Sequence, residues 1–367
     1  VVVVFLHNVP YKWFQVFPVF LLPLSVVLLA LVMMMERING AARWMTFMGV
    51  QFQPSEVAKM AVIIVTAFIL SKGQDEDGAS PKAFKRIMII TGVICLLIAP
   101  ENLSTAALLF GVVYLMMFIG RVAMKKLLIL AGGLAGVAII GVTFLVLTKN
   151  SDLPFLHRFD TWRARIEKFT NDNEVPAAKF DIDKDAQIAH ARIAVATSHV
   201  VGKGPGNSVQ RDFLSQAFSD FIFAIIIEEL GLIGGAFVVF LYVCLLIRVG
   251  RIAKKCERTF PAFLIIGIAL LLVSQAIFNM MVAVGLAPVT GQPLPLISKG
   301  GTSTLINCAY IGMILSVSRY TARLEEQKEH DALIPMQVEV PAEETNSDAQ
   351  TAAEPTAKVL NSDAEFE

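Results

Sequence analysis

Charge is scarce in this chain. Only 17% of its 367 residues are Asp, Glu, Lys or Arg, against about 25% in ordinary soluble domains. The 31 basic and 31 acidic residues cancel, and no basic tract is interleaved with aromatic residues, which argues against nucleic acid as a partner. Cysteine is equally thin. Of the four, Cys95, Cys244 and Cys308 fall in apolar runs and Cys256 in a basic loop, so none can staple an outside segment and none has a zinc-like spacing. His157, His190 and His199 share one loop at intervals that fit no metal motif, and are read as surface histidines. Gly202-Lys203-Gly204-Pro205-Gly206 follows no strand, which excludes a dinucleotide-binding fold. The opening Val1 to Leu6 is too short to span a bilayer and lacks the basic start of a signal peptide; it reads as the stub of a truncated helix.

What the chain has in abundance is apolar length, with 55% hydrophobic residues. Runs near or above the roughly 17 to 25 residues needed to cross a bilayer occur at 14–35, 54–71, 86–120, 126–148, 221–247, 262–285 and 300–318. The third is too long for one span and is interrupted by Pro100-Glu101-Asn102, so it divides, giving eight spans and an all-α polytopic membrane protein. Lys and Arg in short loops mark the cytoplasmic side. They concentrate at 72–86, 121–126 and 248–258, which places 36–53, 100–103, 149–219 and 286–299 outside and the C-terminus inside. Arg37 and Arg43 are the mild exceptions.

The domain reading follows: a transmembrane domain over 1–320, carrying a large extracytoplasmic loop at 149–219, and an acidic cytoplasmic tail over 321–367. From Glu325 onward twelve acids stand against two lysines, with Pro, Ala, Thr and Ser between them, a composition expected to be disordered. Within the loop, short helices lying along the membrane surface are expected, with a mobile charged middle from Thr170 to Asp185, a helix over Gln187 to Val201 and a tight turn at Gly202 to Ser208.

Polar groups inside apolar spans are costly, so each is a candidate for function, with packing against a partner as the alternative. In Gln53-Pro54-Ser55-Glu56-Val57-Ala58-Lys59, Pro54 suits a first helical turn and Glu56 its positive end. Lys59 shares a face with Glu56 and lies roughly 8 Å deeper than Pro54 at 1.5 Å rise per residue. It is either half of a structural ion pair or a phosphate-binding lysine in a water-filled cavity. Asp220 stands where the long loop meets the next span, able to remain charged in water while touching a substrate held in lipid. It suits a proton acceptor, and its bland alternative is an acid favouring a helix N-terminus. Glu228 and Glu229 lie about 80° and 180° around the helix from Asp220, and one is expected to pair with Lys59 or Arg43. Finally, Ser298-Lys299-Gly300-Gly301-Thr302-Ser303 leads into the last span, and glycines with hydroxyls at a helix start can offer N–H groups to a pyrophosphate or sugar.

Together these residues resemble the SEDS family of bacterial shape, elongation, division and sporulation proteins, the family of FtsW, RodA and SpoVE. The likeness runs along nearly the whole chain. It rests on Asn39-Gly40-Ala41-Ala42-Arg43-Trp44, on Gln53 to Lys59, on the glycine turn from Gly202 to Ser208, on Asp220-Phe221-Ile222-Phe223-Ala224 with Glu228-Glu229-Leu230-Gly231, and on Pro288 to Ser303. The family usually has ten transmembrane helices, and the eight spans plus the stub fit a chain lacking its first helix and most of its second.

The resemblance implies a peptidoglycan glycosyltransferase that polymerises lipid II into glycan strands and releases undecaprenyl diphosphate in the bacterial cytoplasmic (inner) membrane. A class B penicillin-binding transpeptidase and other divisome proteins would be its partners. Asp220 matches the family's catalytic aspartate, and Trp44, Glu56 and Lys59 match other functionally important positions. Lys59, Arg43 or a divalent cation (Mg2+ or Mn2+) could supply positive charge to the departing diphosphate; no cofactor is otherwise implied. Overall likeness and the acidic tail favour septal division, with side-wall elongation as the alternative.

The sequence also departs from the family pattern. Leu214 to Phe221 lacks the second acid and the histidine usual before the aspartate, which places a paired-carboxylate mechanism in doubt. Lys299 replaces a frequent tyrosine. Two rivals remain. Intramembrane charges such as Lys59 and Glu228 also mark transport paths, so a lipid II flippase is one, although no repeat-related broken helices are evident and Asp220 falls at the outer edge instead of the midplane. A non-catalytic division scaffold is the other.

Overall fold

The structure is a computed structural model and describes residues 1–34, 45–47, 50–75, 78–147, 182–214 and 218–338. Ten α-helices dominate it: α1 (Val2–Asn8), α2 (Phe17–Met33), α3 (Pro54–Lys72), α4 (Pro81–Ile98), α5 (Leu103–Ile119), α6 (Met124–Leu147), α7 (Ile182–Ala196), α8 (Ile222–Lys255), α9 (Thr259–Ala283) and α10 (Gly301–Val338). Two short antiparallel hairpins accompany them, β1–β2 with Met45 opposite Phe52 and β3–β4 with Gln74 opposite Ala79.

Every apolar run expected to span a membrane is a helix. Five helices are long and apolar enough to cross one, and α2 and α5 are shorter apolar helices. The division of the 86–120 run falls at Pro100-Glu101-Asn102. There α4 ends at Ile98, and the Asn102 side chain caps α5 by accepting from the Thr105 N–H at 3.2 Å, which satisfies a donor left orphaned at a helix start.

Helix α3 is the hub, with Ala58, Ala61, Val62, Ile63, Ile64, Ala67 and Leu70 fully buried among α2, α4, α5 and α9. In lipid, apolar helices gain little from leaving their surroundings, so tight packing and interhelical hydrogen bonds must hold them together. Gly267 on α9 illustrates the first: a methyl group there would stand 2.6 Å from Met116 on α5 and 2.9 Å from Ile63 on α3. By contrast, the described part of α6 leaves Leu128, Ile129, Leu134, Val137, Ile139 and Ile140 exposed, and the outer face of α8 exposes Leu232, Ile233, Phe237 and Phe240. These are surfaces suited to lipid. A second apolar cluster seats α7 on the start of α8 through Ala191, Ala194, Phe221, Phe223 and Leu294.

Two features were not read from the sequence. Helix α8 is broken inside its apolar run at Gly231, whose φ of 70° and ψ of −171° no other residue adopts readily. The backbone groups freed there pair with the preceding loop: Leu232 N–H donates to His199 O, Ile233 N–H to Val200 O, and Glu228 and Glu229 carbonyls accept from Lys203 and Gly204 N–H. The tail is also not irregular from its start, because α10 continues through Val338. Its segment Ala322-Arg323-Leu324-Glu325-Glu326-Gln327-Lys328-Glu329 consists of good helix formers, and their propensity outweighs the high acid content over that stretch. The chain divides into a compact unit, 1–323, and a second unit beginning at Leu324, helical where described. The tail expectation for 339–367, and that for the loop's charged middle up to residue 181, lie outside the described residues. Helix α7 and positive φ angles at Gly202, Gly204 and Gly206 supply the helix and turn expected at the end of that loop.

At Gly231 a Cβ would stand 2.2 Å from Val200 O. Gly231→Ala is therefore expected to destabilise the protein by about 2 kcal/mol or more, read as a lower thermal midpoint in detergent by fluorescence-detected size exclusion. Gly250→Ala, where the added methyl meets nothing, is the control and should leave the midpoint unchanged or raised.

Candidate active site

One end of the bundle gathers polar residues of α3, α5, α8 and α9 around the segment that leads into α10. Pro54 opens α3, and one turn on Glu56 and Lys59 meet: Lys59 Nζ lies 2.7 Å from Glu56 Oε1, with both side chains buried. Lys59 also donates to Gln275 Oε1 of α9 at 3.0 Å, and Gln275 Nε2 donates to Pro293 O at 3.0 Å. Next along the chain, Gln292 donates its Nε2 to Thr105 Oγ1 of α5 at 2.6 Å. A buried ammonium needs partners of this kind, because an unpaired charge in low dielectric is very costly.

The same network reaches Asp220. Asn279, one helical turn beyond Gln275, donates its Nδ2 both to Gln292 O and to Asp220 O, each at 2.8 Å. The two preceding carbonyls are held as well: Ser298 Oγ donates to Ser219 O at 2.5 Å and Lys299 N–H to Phe218 O at 2.7 Å. Ser298 Oγ in turn accepts from Leu294 N–H at 2.7 Å, and the Tyr242 hydroxyl of α8 fixes Pro295 O. Three consecutive carbonyls of the Asp220 turn are thus each anchored. The Asp220 side chain, half-buried, accepts from Ser219 Oγ at 3.0 Å, and α8 begins two residues later at Ile222.

The residues singled out in the sequence fall into distinct places. Glu56 and Lys59 are brought together. Ser298 and Lys299 meet the Asp220 turn through a hydroxyl and a main-chain N–H, with the Lys299 side chain exposed. Gly300 and Gly301 form the start of α10, where Thr302 and Ser303 are buried in the first turn and Ser303 Oγ donates to Gly300 O at 3.4 Å. Arg43 and Trp44 lie outside the described residues. The expected pairing of Glu228 or Glu229 with Lys59 does not form: Glu228 binds Lys203 of the loop at 2.5 Å, because the loop folds back onto α8 while Lys59 has its own carboxylate three residues away; the Arg43 alternative lies outside the described residues. His190 is bonded to Gln210 at 2.6 Å and stacked on Phe213, a packing role within the loop.

Several residues of the site were not singled out in the sequence: Thr105, Tyr242, Gln275 and Asn279, while Gln292 lay within the Pro288 to Ser303 segment. The readable signal was the pair Gln275 and Asn279, two amides one turn apart inside an otherwise apolar span. Among the described residues, the buried atoms Ser55 Oγ, Asn279 Oδ1, Thr290 Oγ1, Gln292 Oε1, Thr302 Oγ1 and Tyr310 OH have no hydrogen-bond partner. Buried polar atoms are rarely left in that state, so this region suits water or the polar groups of a ligand. Among the described residues no three His, Cys, Asp or Glu side chains converge as metal ligands.

A bundle of apolar helices, several of them long enough to cross a membrane, with a buried ion pair and a clamped acid at one end, is a polytopic membrane protein. Residues 1–323 match the profile of the FtsW/RodA/SpoVE family, described as "Cell cycle protein", and the chain belongs to that family. It is 34% identical over 282 residues to the probable peptidoglycan glycosyltransferase FtsW of Geobacter sp. (strain M18), covering 76% of this chain and 72% of the relative. With the protein of the same description from Halomonas elongata it shares 32% identity over 337 residues, 89% and 80% of the two chains.

Among solved structures, a chain from the work titled "Structural coordination of polymerization and crosslinking by a peptidoglycan synthase complex" superposes with a TM-score of 0.68 at 25% identity, covering 87% of this chain and 86% of that one. The rod shape determining protein RodA of Thermus thermophilus shares the fold, with a TM-score of 0.59 at 23% identity over 87% and 83% of the chains.

Lys59→Met strands the Glu56 carboxylate in the core and is expected to cost about 3–5 kcal/mol. Adding Glu56→Gln removes the stranded charge and should return more than half of the loss in thermal midpoint; a double variant no better than the single one would show that the pair does not carry the charge balance.

Proposed function

We propose that this chain is the FtsW-type peptidoglycan glycosyltransferase of its cell, polymerising lipid II into glycan strands during septal wall synthesis, with Asp220 as the general base. The observation that carries the assignment of Asp220 is the anchoring of carbonyls 218, 219 and 220 by Lys299, Ser298 and Asn279. A group that must meet a proton on an incoming hydroxyl works only if held in place, and this turn is clamped while its carboxylate stays half-buried at the mouth of the bundle.

The chemistry is a single inverting displacement. The hydroxyl of the acceptor sugar attacks the anomeric carbon of the donor, its oxygen forming the new glycosidic bond as the carbon–oxygen bond to the diphosphate breaks. Asp220 takes the hydroxyl proton, and undecaprenyl diphosphate leaves with the bonding electrons. Positive potential is needed beside that leaving group. The exposed Lys299 and the start of α10 at Gly301 supply it at the outer mouth, where a helix N-terminus favours an anion. Arg43 and Trp44 of the first outside loop are assigned to substrate binding on the family motif they belong to. Lys59 is committed to Glu56 and Gln275 in this state, so its role is to hold together the helices that carry the Asp220 turn. The orphaned atoms of Ser55 and Thr302, at the starts of α3 and α10, offer polar contacts to a substrate.

The lysine and arginine pattern of the loops orients the chain with its C-terminus in the cytoplasm and the 149–219 loop outside. A class B penicillin-binding transpeptidase, as the second activity of a synthase complex, is its partner in the membrane. A reporter fused after Glu367 that is active only in the cytoplasm should be active, and silence there would reverse the orientation.

Purified with its cognate transpeptidase and supplied with lipid II, wild-type protein should make glycan polymer, and Asp220→Asn should lower the rate about 100-fold or more while folding and partner binding persist. Undiminished polymer from Asp220→Asn would remove Asp220 from catalysis. Absence of polymer from the wild type would return the flippase and scaffold readings.

A further inference from the structure

Glu228 receives far more than an ion pair. Its side chain is fully buried, and its two oxygens accept from Lys203 Nζ at 2.5 Å, Ser208 Oγ at 2.5 Å, and the N–H groups of Val209 and Gln210 at 3.3 Å each. All four donors belong to the stretch of loop just before the Asp220 turn. Ser208 Oγ accepts in turn from Arg211 N–H at 3.1 Å, which starts the short helical turn Gln210–Phe213.

A second set of bonds lies beside this one, where residues 199–204 fill the break in α8 at Gly231. There Gly202 and Gly231 approach so closely that a Cβ on Gly202 would stand 2.3 Å from Gly231 N. The loop therefore grips α8 at Glu228 and fills its break at Gly231, and Asp220 lies two residues before α8 begins at Ile222.

We propose that Glu228, with Lys203 as its counter-ion, is a positioning residue for Asp220. By gathering Lys203, Ser208 and the two main-chain N–H groups, it fixes residues 203–210 against α8, as Ser298, Lys299 and Asn279 fix residues 218–220. A purely structural carboxylate would be satisfied by Lys203 and Ser208; the added main-chain bonds hold the path of the chain itself. This role rests on Asp220 being the base. Releasing the grip lets the stretch leading to Asp220 wander, and a displacement on the scale of an ångström at a reacting group costs about 100-fold in rate.

The test uses the full-length protein with its cognate transpeptidase, lipid II as substrate over a range of concentrations, and limited trypsin digestion read at Arg211. Glu228→Gln keeps the shape of the side chain and loses its charge. It should lower kcat about 10- to 100-fold, leave KM within about twofold, and speed cleavage after Arg211. Lys203→Gln, at a side chain 30% exposed, should move kcat and cleavage in the same direction by less, and it decides the matter if Glu228→Gln does not fold. Wild-type kcat in the folded variants overturns the proposal, whether or not the loop has opened. So does a raised KM at unchanged kcat, which would place Glu228 in substrate binding. An inactive Asp220→Asn beside a fully active Glu228→Gln overturns the positioning role alone, whereas an active Asp220→Asn overturns the base assignment and this role with it.

Discussion

The arrangement depends first on a lysine inside an apolar bundle. An ammonium at the depth of Lys59 cannot be solvated by its surroundings, so carboxylate and amide partners must be brought to it. Glu56 comes from the same helix, one turn away, at little entropic cost. Gln275 must come from α9, and once its carbonyl oxygen is committed to Lys59 its amide nitrogen needs an acceptor of its own, which it finds at Pro293. That requirement draws the segment before α10 down between α3, α5 and α9. Gln292 and Asn279 complete the link to the Asp220 turn. The charge that looked like a binding group is thus also the origin of the scaffold that places the acid.

Asp220 is held from two directions by different means. On the bundle side its turn is anchored by main-chain carbonyls bonded to a serine, an asparagine and a backbone N–H, which are neutral contacts insensitive to salt. On the loop side the anchor is ionic and buried, with Lys203 reaching from a partly exposed position to a carboxylate that is not exposed at all. Buried polar bonds between elements tie those elements together. Here they span four helices and a loop and end at the Asp220 turn, with Asn279 Oδ1 and Gln292 Oε1 left over.

Much of this was legible in the residues. Apolar runs located the long helices, Pro100-Glu101-Asn102 marked the turn between α4 and α5, and Glu56 with Lys59 at a three-residue interval announced their ion pair. Other features were not. Gly231 reads as one glycine among several in an apolar run, and only the backbone shows that it occupies a conformation closed to other residues. The partner of Glu228 was missed because the nearest named cations belonged to other spans, whereas Lys203 comes from a loop whose return path no local periodicity encodes. Gln275 and Asn279 carry no charge, and a search for ionisable groups inside spans passes over them. The helical stretch beyond Tyr320 was masked by its acidity, although its individual residues favour helix.

The break in α8 bears on what the protein can do. Broken helices inside membranes accompany transport when their freed backbone groups face a central pathway and coordinate what passes. In this protein those groups face the loop: the carbonyls of Glu228 and Glu229 and the N–H groups of Leu232 and Ile233 are bonded to residues 199–204. A carrier built on that break would have to surrender these bonds in each cycle, and the buried Glu228 grip with them. A polymerase needs the opposite, an acid kept at a fixed place at the outer edge while the sugars come and go. The bonding at Gly231 therefore favours fixed-site chemistry over alternating access, in agreement with the glycosyltransferase description carried by its relatives.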